Sequence, residues 1–291
     1  GAEPRFVDVD QGTLLVTPET LEAGRTSRTA AVIAVHLYGH PADMDALSRY
    51  ADQHGLALLE DAAQAHGAIL DTPDPHRAGS YGVAGTFSFY PGKNFGAWGD
   101  GGAVVTDDEA LATELRSLAN HGRDADKHTH RVVGRNSRLD AVQAAVLSRK
   151  LPTLDAENRE RRRIVERYRV ALGPLAADLV EPVDPDASVW HLLVMRAGRR
   201  ESLRKALARV GVDTGVHYPV PCHLTPAYAE LPTPPLPVAE AAAGEVMSLP
   251  LWPGMSDQQV DRVVEQLWQA LAKPAPSRLP RQWRPAQGGR R

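Results

Sequence analysis

Short apolar runs that alternate with an amphipathic segment constrain the fold of this chain more than any other feature. Residues 30–35 (AAVIAV) are rich in strand formers. Residues 43–54 place apolar side chains at helical spacing, with Asp43 in position to cap the helix. Further apolar runs follow at 56–59, 85–89 and 102–105. Buried strands separated by a helix predict an α/β fold with a mainly parallel sheet, whose ligands gather at the carboxyl ends of the strands.

The second half of the chain has longer helical periodicities. We expect helices at 140–151, 154–172, 201–210 and 256–271, the last capped by Ser256, a strand at 189–195 and a Pro-rich loop at 231–237. The sequence therefore predicts a large domain over residues 1–153 and a smaller C-terminal α/β domain over residues 154–272. Residues 273–291 contain no acidic residue and are rich in Pro, Arg and Gly, which predicts a disordered tail.

Charge and cysteine content exclude several classes of function. The net charge of −3 indicates neither a nucleic-acid-binding protein nor a membrane-surface protein. Cys222 is the single cysteine, so an intrachain disulfide and a multi-cysteine zinc site are both excluded, and we expect no metal. Low cysteine use fits a reducing cytoplasm.

Residues 86–102 (TFSFYPGKNFGAWGDGG) form the most informative segment. Lys93 follows an apolar strand and lies beside glycines. Burial or a nearby cation lowers the pKa of a lysine and makes its amine nucleophilic toward carbonyls. The simpler interpretation is a lysine on an exposed turn, and spacing alone favours that interpretation.

A second segment, residues 56–67 (LALLEDAAQAHG), places the carboxylate of Asp61 at the end of a buried strand. A charge there is costly without a partner, and the pyridinium nitrogen of pyridoxal phosphate (PLP) would be one. Asp61 could instead cap the turn that follows. For His66, a buried histidine satisfied by backbone is favoured over catalysis. Together, Asp61 and Lys93 would supply a pyridinium partner and a Schiff-base amine.

These segments belong to a series of motifs that resembles the nucleotide-sugar aminotransferases of the DegT/StrS type, which are fold-type I PLP enzymes. The resemblance runs from Phe6 to about Leu271. Its motifs, in order, are FVDVD (6–10), VHLYGHPADMDAL (35–47), EDAAQAHGA (60–68), FSFYPGKNFGAWGDGGAVVT (87–106), NHGR (120–123), NSRLDAVQAAVL (136–147), GVHYPVPCHLTPAY (215–228) and SLPLWPGMSDQQVDRV (248–263). Several long motifs in one order are specific, whereas any one short pattern is not.

The resemblance implies a role for each of five residues in binding PLP. Lys93 would form the Schiff base with the cofactor and shuttle the substrate proton. Asp61 would bind the pyridinium nitrogen, Gln64 would lie near the phenolic oxygen, and Ser88 would hydrogen-bond the phosphate. Asn136 would reach the phosphate of the neighbouring subunit's cofactor, which implies a homodimer with shared active sites.

Further residues follow from the same resemblance. His217 and Tyr218 would lie near the sugar. Trp98, Asp100 and Gly101 belong to the glycine-rich loop after the lysine, where turn geometry is the favoured interpretation.

The implied reaction is transamination of a keto-sugar, linked to a nucleoside diphosphate, with L-glutamate as the amino donor. Relatives that catalyse dehydration replace the lysine with histidine, so Lys93 favours transamination. The family has a further stretch before the FVDVD motif that carries part of the phosphate site, and a helix N-terminus is suited to that task. This chain therefore resembles a member that lacks its N-terminal region, with apolar sheet surface exposed. The alternatives are a shortened, inactive relative with a regulatory or assembly role, or a partner chain that supplies the missing part.

Overall fold

The computed structural model describes residues 1–72, 76–124, 126 and 128–272. The tail predicted at 273–291 lies outside the described residues. The helices are α1 (Pro18–Gly24), α2 (Met44–His54), α3 (Glu109–Ala119), α4 (Ala141–Lys150), α5 (Leu154–Leu172), α6 (Arg200–Ala208), α7 (Pro237–Glu245) and α8 (Asp257–Ala272). The strands are β1 (Ala31–Val35), β2 (Ala57–Asp61), β3 (Ile69–Leu70), β4 (His76–Arg77), β5 (Ala84–Ser88), β6 (Gly102–Val105), β7 (Leu193–Arg196) and β8 (Val246–Leu249).

The first half of the chain forms a four-stranded sheet in the order β1-β2-β5-β6. β1, β2 and β5 are parallel, and only β6 is antiparallel to its neighbour. Val35 pairs with Asp61, and Asp61 pairs with Thr86. The carboxyl ends of the three parallel strands therefore meet at one edge of the sheet. The prediction of a mainly parallel sheet is confirmed.

One face of this sheet is covered by α2. Met44 and Leu47 on the helix are buried against Val32 and Leu58 of the strands. Asp43 caps the helix as predicted, accepting the Ala46 N–H at 2.9 Å. On the opposite face of β1, Ile33 is 65% exposed. Parallel sheets are usually covered on both faces, and the described residues leave this face of β1 uncovered.

The second half packs α5, α6 and α8 against a two-stranded antiparallel sheet of β7 and β8. Its core contains Tyr168, Trp190, Leu193, Met247 and Leu267, each at most 1% exposed. α5 has the predicted bounds. α8 begins one residue after Ser256, whose Oγ accepts the Gln259 N–H at 3.3 Å.

The strand predicted at 189–195 begins only at Leu193, because the preceding residues bind another partner. Val189 N donates to the carbonyl of Gly39, and Leu192 N donates to the carbonyl of Tyr38. Trp190 has a φ of 43°, which is incompatible with a strand. This segment therefore joins the second half of the chain to a turn at the edge of the main sheet. No helix in the described part of the chain is long and apolar enough to cross a membrane.

Candidate active site

Asp61 ends β2 at the carboxyl edge of the sheet and is half-buried. Its Oδ1 accepts the Ala63 N–H at 3.0 Å, so the carboxylate does cap a turn, as the simpler interpretation expects. Its Oδ2 has no hydrogen-bond partner among the described residues. One carboxylate oxygen is therefore available to a positively charged ligand.

Lys93 lies in the turn that follows β5, three residues after Tyr90. Its backbone N–H donates to the Tyr90 carbonyl at 2.9 Å, and the residue is half-buried rather than exposed. Burial lowers the pKa of the Lys93 amine, and the negative charge of Asp61 opposes that shift. The amine and the carboxylate are thus within electrostatic reach of one another, which the separate motifs could not establish.

Gln64 connects this edge of the sheet to the second half of the chain. Its Oε1 accepts the Tyr38 N–H at 2.6 Å, and its Nε2 donates to the Tyr218 hydroxyl at 3.1 Å. The Tyr38 hydroxyl donates to the His217 carbonyl at 2.5 Å. His217 and Tyr218, which the sequence places near a substrate, are therefore brought to the side chain of Gln64.

Ser88 is the last residue of β5, and its Oγ accepts the Tyr90 N–H at 3.3 Å. Its hydroxyl hydrogen has no acceptor among the described residues, so it can donate to an anion. Asn136 is exposed, and its Oδ1 accepts two hydrogen bonds from Arg138. No described contact joins Asn136 to Lys93, Asp61 or Ser88 of its own chain.

The loop after Lys93 is shaped by close backbone packing. A Cβ at Gly101 would lie 2.9 Å from Leu139, and one at Gly96 would lie 2.6 Å from the Pro91 carbonyl oxygen. Trp98 is 81% exposed and Asp100 is exposed. The packing at Gly101 supports turn geometry as its role.

Three imidazoles lie within electrostatic reach of the Lys93 amine. Burial is the main cause that lowers the pKa of His66 to about 4, and the positive charge of Lys93 is the second. The same two causes lower the pKa of His217. The same two causes lower the pKa of His191 to about 3. All three rings are therefore neutral at pH 7. His191 carries no sequence signal beyond its place in an apolar run, and sequence reasoning missed it.

His66 is buried as expected, but its expected backbone partners are not formed. Neither ring nitrogen has a hydrogen bond among the described residues, although the backbone of Ser88 offsets part of the lowering of the pKa of His66. The ring packs against Phe87, with centroids 5.4 Å apart, and also contacts Phe89 and Phe95. His66 is therefore held in the structure by packing against these aromatic rings.

No group of three or more metal-ligating side chains occurs in the part of the chain that the structure describes. The side chains that the structure describes at the site are an amine, a carboxylate, a hydroxyl and neutral rings. A half-buried amine of lowered pKa opposite a carboxylate can attack a carbonyl and then move a proton.

Comparison with known proteins identifies many related chains. The DegT/DnrJ/EryC1/StrS aminotransferase family matches residues 1–268. The chain is 48% identical over 270 residues to the erythromycin biosynthesis sensory transduction protein EryC1 of Saccharopolyspora erythraea, covering 92% of this chain and 73% of that protein. It is 47% identical over 268 residues to a dTDP-3-amino-3,4,6-trideoxy-alpha-D-glucose transaminase of Streptomyces venezuelae, covering 91% and 70%.

Solved structures share the fold as well. S. venezuelae DesV in complex with a ketimine intermediate has a TM-score of 0.85 and 44% identity, with 92% of this chain and 72% of that chain covered. NtdA from Bacillus subtilis with bound cofactor PMP has a TM-score of 0.82 and 32% identity, with 93% and 63% covered. The α/β architecture predicted from the sequence is confirmed by these similarities.

Proposed function

Because this chain belongs to the DegT/DnrJ/EryC1/StrS aminotransferase family, we propose that it aminates a keto-sugar linked to a nucleoside diphosphate, with L-glutamate as the amino donor. The chain is a PLP-dependent aminotransferase, and PLP is its cofactor. The observation that carries the proposal is the half-buried Lys93, whose amine lies within electrostatic reach of the Asp61 carboxylate at the carboxyl edge of the sheet. The S. venezuelae relative is named a dTDP-amino-sugar transaminase, which supports a sugar substrate for this chain.

The residues at this edge fit PLP. The cofactor has an aldehyde, a ring nitrogen, a phenolic oxygen and a phosphate. Lys93 would hold the aldehyde carbon, the free Oδ2 of Asp61 would hold the protonated ring nitrogen, and the Ser88 hydroxyl would donate to the phosphate. Gln64 would lie beside the phenolic oxygen. When bound, PLP supplies an electron sink for the substrate carbon that loses its proton.

Lys93 has the properties of the group that moves this proton. Burial lowers the pKa of its amine, which increases the neutral fraction able to accept a proton near pH 7. Gln64 keeps one orientation because Tyr38 and Tyr218 bind its two ends. His217 and Tyr218 enter the site from the second half of the chain, which suits them to contact the sugar.

The net reaction exchanges an amino group for a carbonyl oxygen. L-Glutamate becomes a keto acid, and the sugar ketone becomes an amine.

We also propose a homodimer in which Asn136 acts in the partner's site. Asn136 is exposed, and no described contact joins it to Lys93 of its own chain. The helix that follows Asn136, α4, has Leu147 as its only buried residue; Val142 on it is 66% exposed, and Trp98, whose backbone N–H donates to Gln143 of α4, is 81% exposed. Exposed apolar side chains of this kind support an interface on this part of the chain.

The first test is an absorbance spectrum of the purified chain with PLP, before and after L-glutamate. A visible band that is lost when glutamate is added shows covalent attachment and the first half of the reaction. Lys93→Arg keeps the positive charge but is expected to abolish both the band and turnover. Retained transamination in this variant would overturn the assignment.

The second candidate function is a non-catalytic regulatory or assembly role. It is favoured by the name of the EryC1 relative, which is called a sensory transduction protein. The intact set of Lys93, Asp61 and Gln64 argues against it. A chain that folds and dimerises but shows no band with PLP would favour this second function.

Shared sites are tested by mixing two inactive variants, Lys93→Ala and Asn136→Ala. A mixed dimer has one site with both defects and one intact site. After unfolding and refolding together in equal amounts, random pairing should restore about one quarter of the wild-type sites. No recovery, with mixed dimers shown to form, would exclude a role for Asn136 across the interface.

A further inference from the structure

Gln64 is a buried amide whose orientation is fixed by a backbone donor. It is 7% exposed, and its Oε1 accepts the Tyr38 N–H at 2.6 Å. A backbone N–H can only donate, so the side-chain atom that faces it must be the amide oxygen. The amide nitrogen therefore takes the other position, 3.1 Å from the Tyr218 hydroxyl. Reversing the amide would leave the Tyr38 N–H facing another donor, which is costly in a buried location.

The orientation of Gln64 determines how the Tyr218 hydroxyl can bind. An amide nitrogen can only donate, so the Tyr218 oxygen accepts this hydrogen bond. The hydroxyl hydrogen of Tyr218 has no acceptor among the described residues, and the residue is 52% exposed. A hydroxyl that already accepts a hydrogen bond is polarised, which strengthens it as a donor. The exposed Tyr218 hydroxyl can therefore donate its hydrogen to a ligand.

The backbone beside Tyr218 is held at the carboxyl edge of the sheet by both halves of the chain. Gln64 lies in the turn that follows β2. The carbonyl of His217 accepts the Tyr38 hydroxyl at 2.5 Å, and its Nδ1 lies 2.8 Å from Ser248 Oγ on β8. Because the residue before Tyr218 is bound from both sides, the Tyr218 hydroxyl stays beside Gln64.

We propose that Gln64 is a positioning residue that makes the Tyr218 hydroxyl a hydrogen-bond donor, so that Tyr218 selects a substrate oxygen with a free lone pair. The ketone oxygen of a sugar and a carboxylate oxygen of the amino donor both have this chemistry. A substrate ammonium is disfavoured there, because the phenol oxygen already accepts from Gln64. The identity of the substrates rests on the proposed function, whereas the polarity of Tyr218 is a property of the chain without ligand.

Raman spectroscopy of the full chain without ligand measures this polarity. The intensity ratio of the tyrosine Fermi doublet is high when the phenol oxygen accepts a strong hydrogen bond and low when the hydroxyl only donates one. The contribution of Tyr218 is the difference between the wild-type chain and Tyr218→Phe. The internal standard is Tyr168, whose hydroxyl donates to the Pro250 carbonyl at 2.8 Å and whose contribution is obtained from Tyr168→Phe. The ratio for Tyr218 should exceed that for Tyr168, and a ratio equally low would refute the proposal.

Gln64→Glu reverses the polarity without changing the shape of the side chain. One carboxylate oxygen still accepts the Tyr38 N–H, and the other requires a donor, which the Tyr218 hydroxyl supplies. The ratio for Tyr218, measured in this background with and without Tyr218→Phe, should fall to that of Tyr168. An unchanged ratio would show that Gln64 does not set the polarity and would overturn the proposal. The wild-type measurement needs only a substitution at the half-exposed Tyr218, so it decides the matter even where Gln64→Glu does not fold.

The two half-reactions of the PLP-loaded chain identify which substrate oxygen Tyr218 binds. Losing one hydrogen bond should raise KM by about 2- to 10-fold in Tyr218→Phe, with little change in kcat. A rise confined to the L-glutamate half-reaction assigns a carboxylate oxygen, and a rise confined to amination of the keto-sugar assigns a sugar oxygen. An equal rise in Tyr168→Phe, or a rise in neither half-reaction, would overturn the proposal. A chain with the expected Raman ratios that does not transaminate would instead refute the proposed function and leave the polarity of Tyr218 established.

Discussion

Glu60 provides a sharp test of how the site edge is held. It is fully buried beside Asp61, and its carboxylate accepts four hydrogen bonds. Gly79 N donates at 2.7 Å and His36 Nε2 at 2.9 Å to Oε2, while Tyr81 N and Gly82 N donate at 2.7 and 2.8 Å to Oε1. Burial raises the pKa of this carboxyl, but the hydrogen bonds outweigh it, so the pKa lies below its usual value.

Glu60→Gln changes one oxygen into an amide nitrogen without changing shape. If the remaining oxygen faces Tyr81 and Gly82, the new NH2 group faces two donors, Gly79 N–H and His36 Nε2–H. His36 cannot reverse its tautomer without losing the Ala42 N–H bond to its Nδ1, at 3.0 Å. Two buried donors are left unpaired, which costs about 2–6 kcal/mol in total.

Urea unfolding at pH 7 measures this loss as a change in the free energy of unfolding. The control is Glu114→Gln on exposed α3, with an expected change below about 0.5 kcal/mol. Because the pKa of Glu60 is depressed, its contribution is fully present above the unfolded pKa of about 4.3 and is lost only as pH falls through the folded pKa. The difference should therefore be constant from pH 5.5 to 8. A loss under about 1 kcal/mol would refute the reasoning.

Two further predictions concern the same core. Gly85→Ala should destabilise the chain by about 1–3 kcal/mol or more, since its Cβ would lie 2.0 Å from the Gly79 carbonyl oxygen, whereas Gly198→Ala meets no atom within 4 Å and should be nearly neutral in denaturant unfolding. Burial lowers the pKa of His40 and His191 to about 3 and of His66 to about 4, below the unfolded value of about 6.5, so the unfolded state binds more protons as pH falls. The free energy of unfolding should then drop by about 3–4 kcal/mol from pH 7 to 5.5, and an unchanged value would show that these rings are not held neutral.

Local signals in the sequence predicted most of the main sheet and several helices. α2 has both the apolar spacing and the Asp43 cap, and the bounds of α5 agree with its periodicity. α7 was missed because its small apolar residues, PVAEAAAGE, have no clear amphipathic pattern and follow a Pro-rich loop. The predicted strand at 189–195 starts four residues before β7, because an apolar run does not reveal that Val189 and Leu192 bind the turn at 37–39.

In the site, too, some residues could be placed from the sequence and others only from tertiary contacts. Lys93 and Asp61 follow strands of one sheet, so topology alone brings them to one edge. Gln64 and Tyr218 are 154 residues apart, and only tertiary packing joins them.

The turn at 37–39 explains why the two halves of the chain meet where the chemistry occurs. Tyr38 has a left-handed backbone, with a φ of 62°. Its N–H binds Gln64, its carbonyl accepts Leu192 N–H, and its hydroxyl binds the His217 carbonyl. This one strained residue thus contacts Gln64 at the carboxyl edge of the sheet and two segments of the second half of the chain. Strain of about 1–3 kcal/mol persists only where the surroundings enforce it, and here three hydrogen bonds do so. The placement of Tyr218 beside Gln64 therefore depends on a residue that need not touch the substrate.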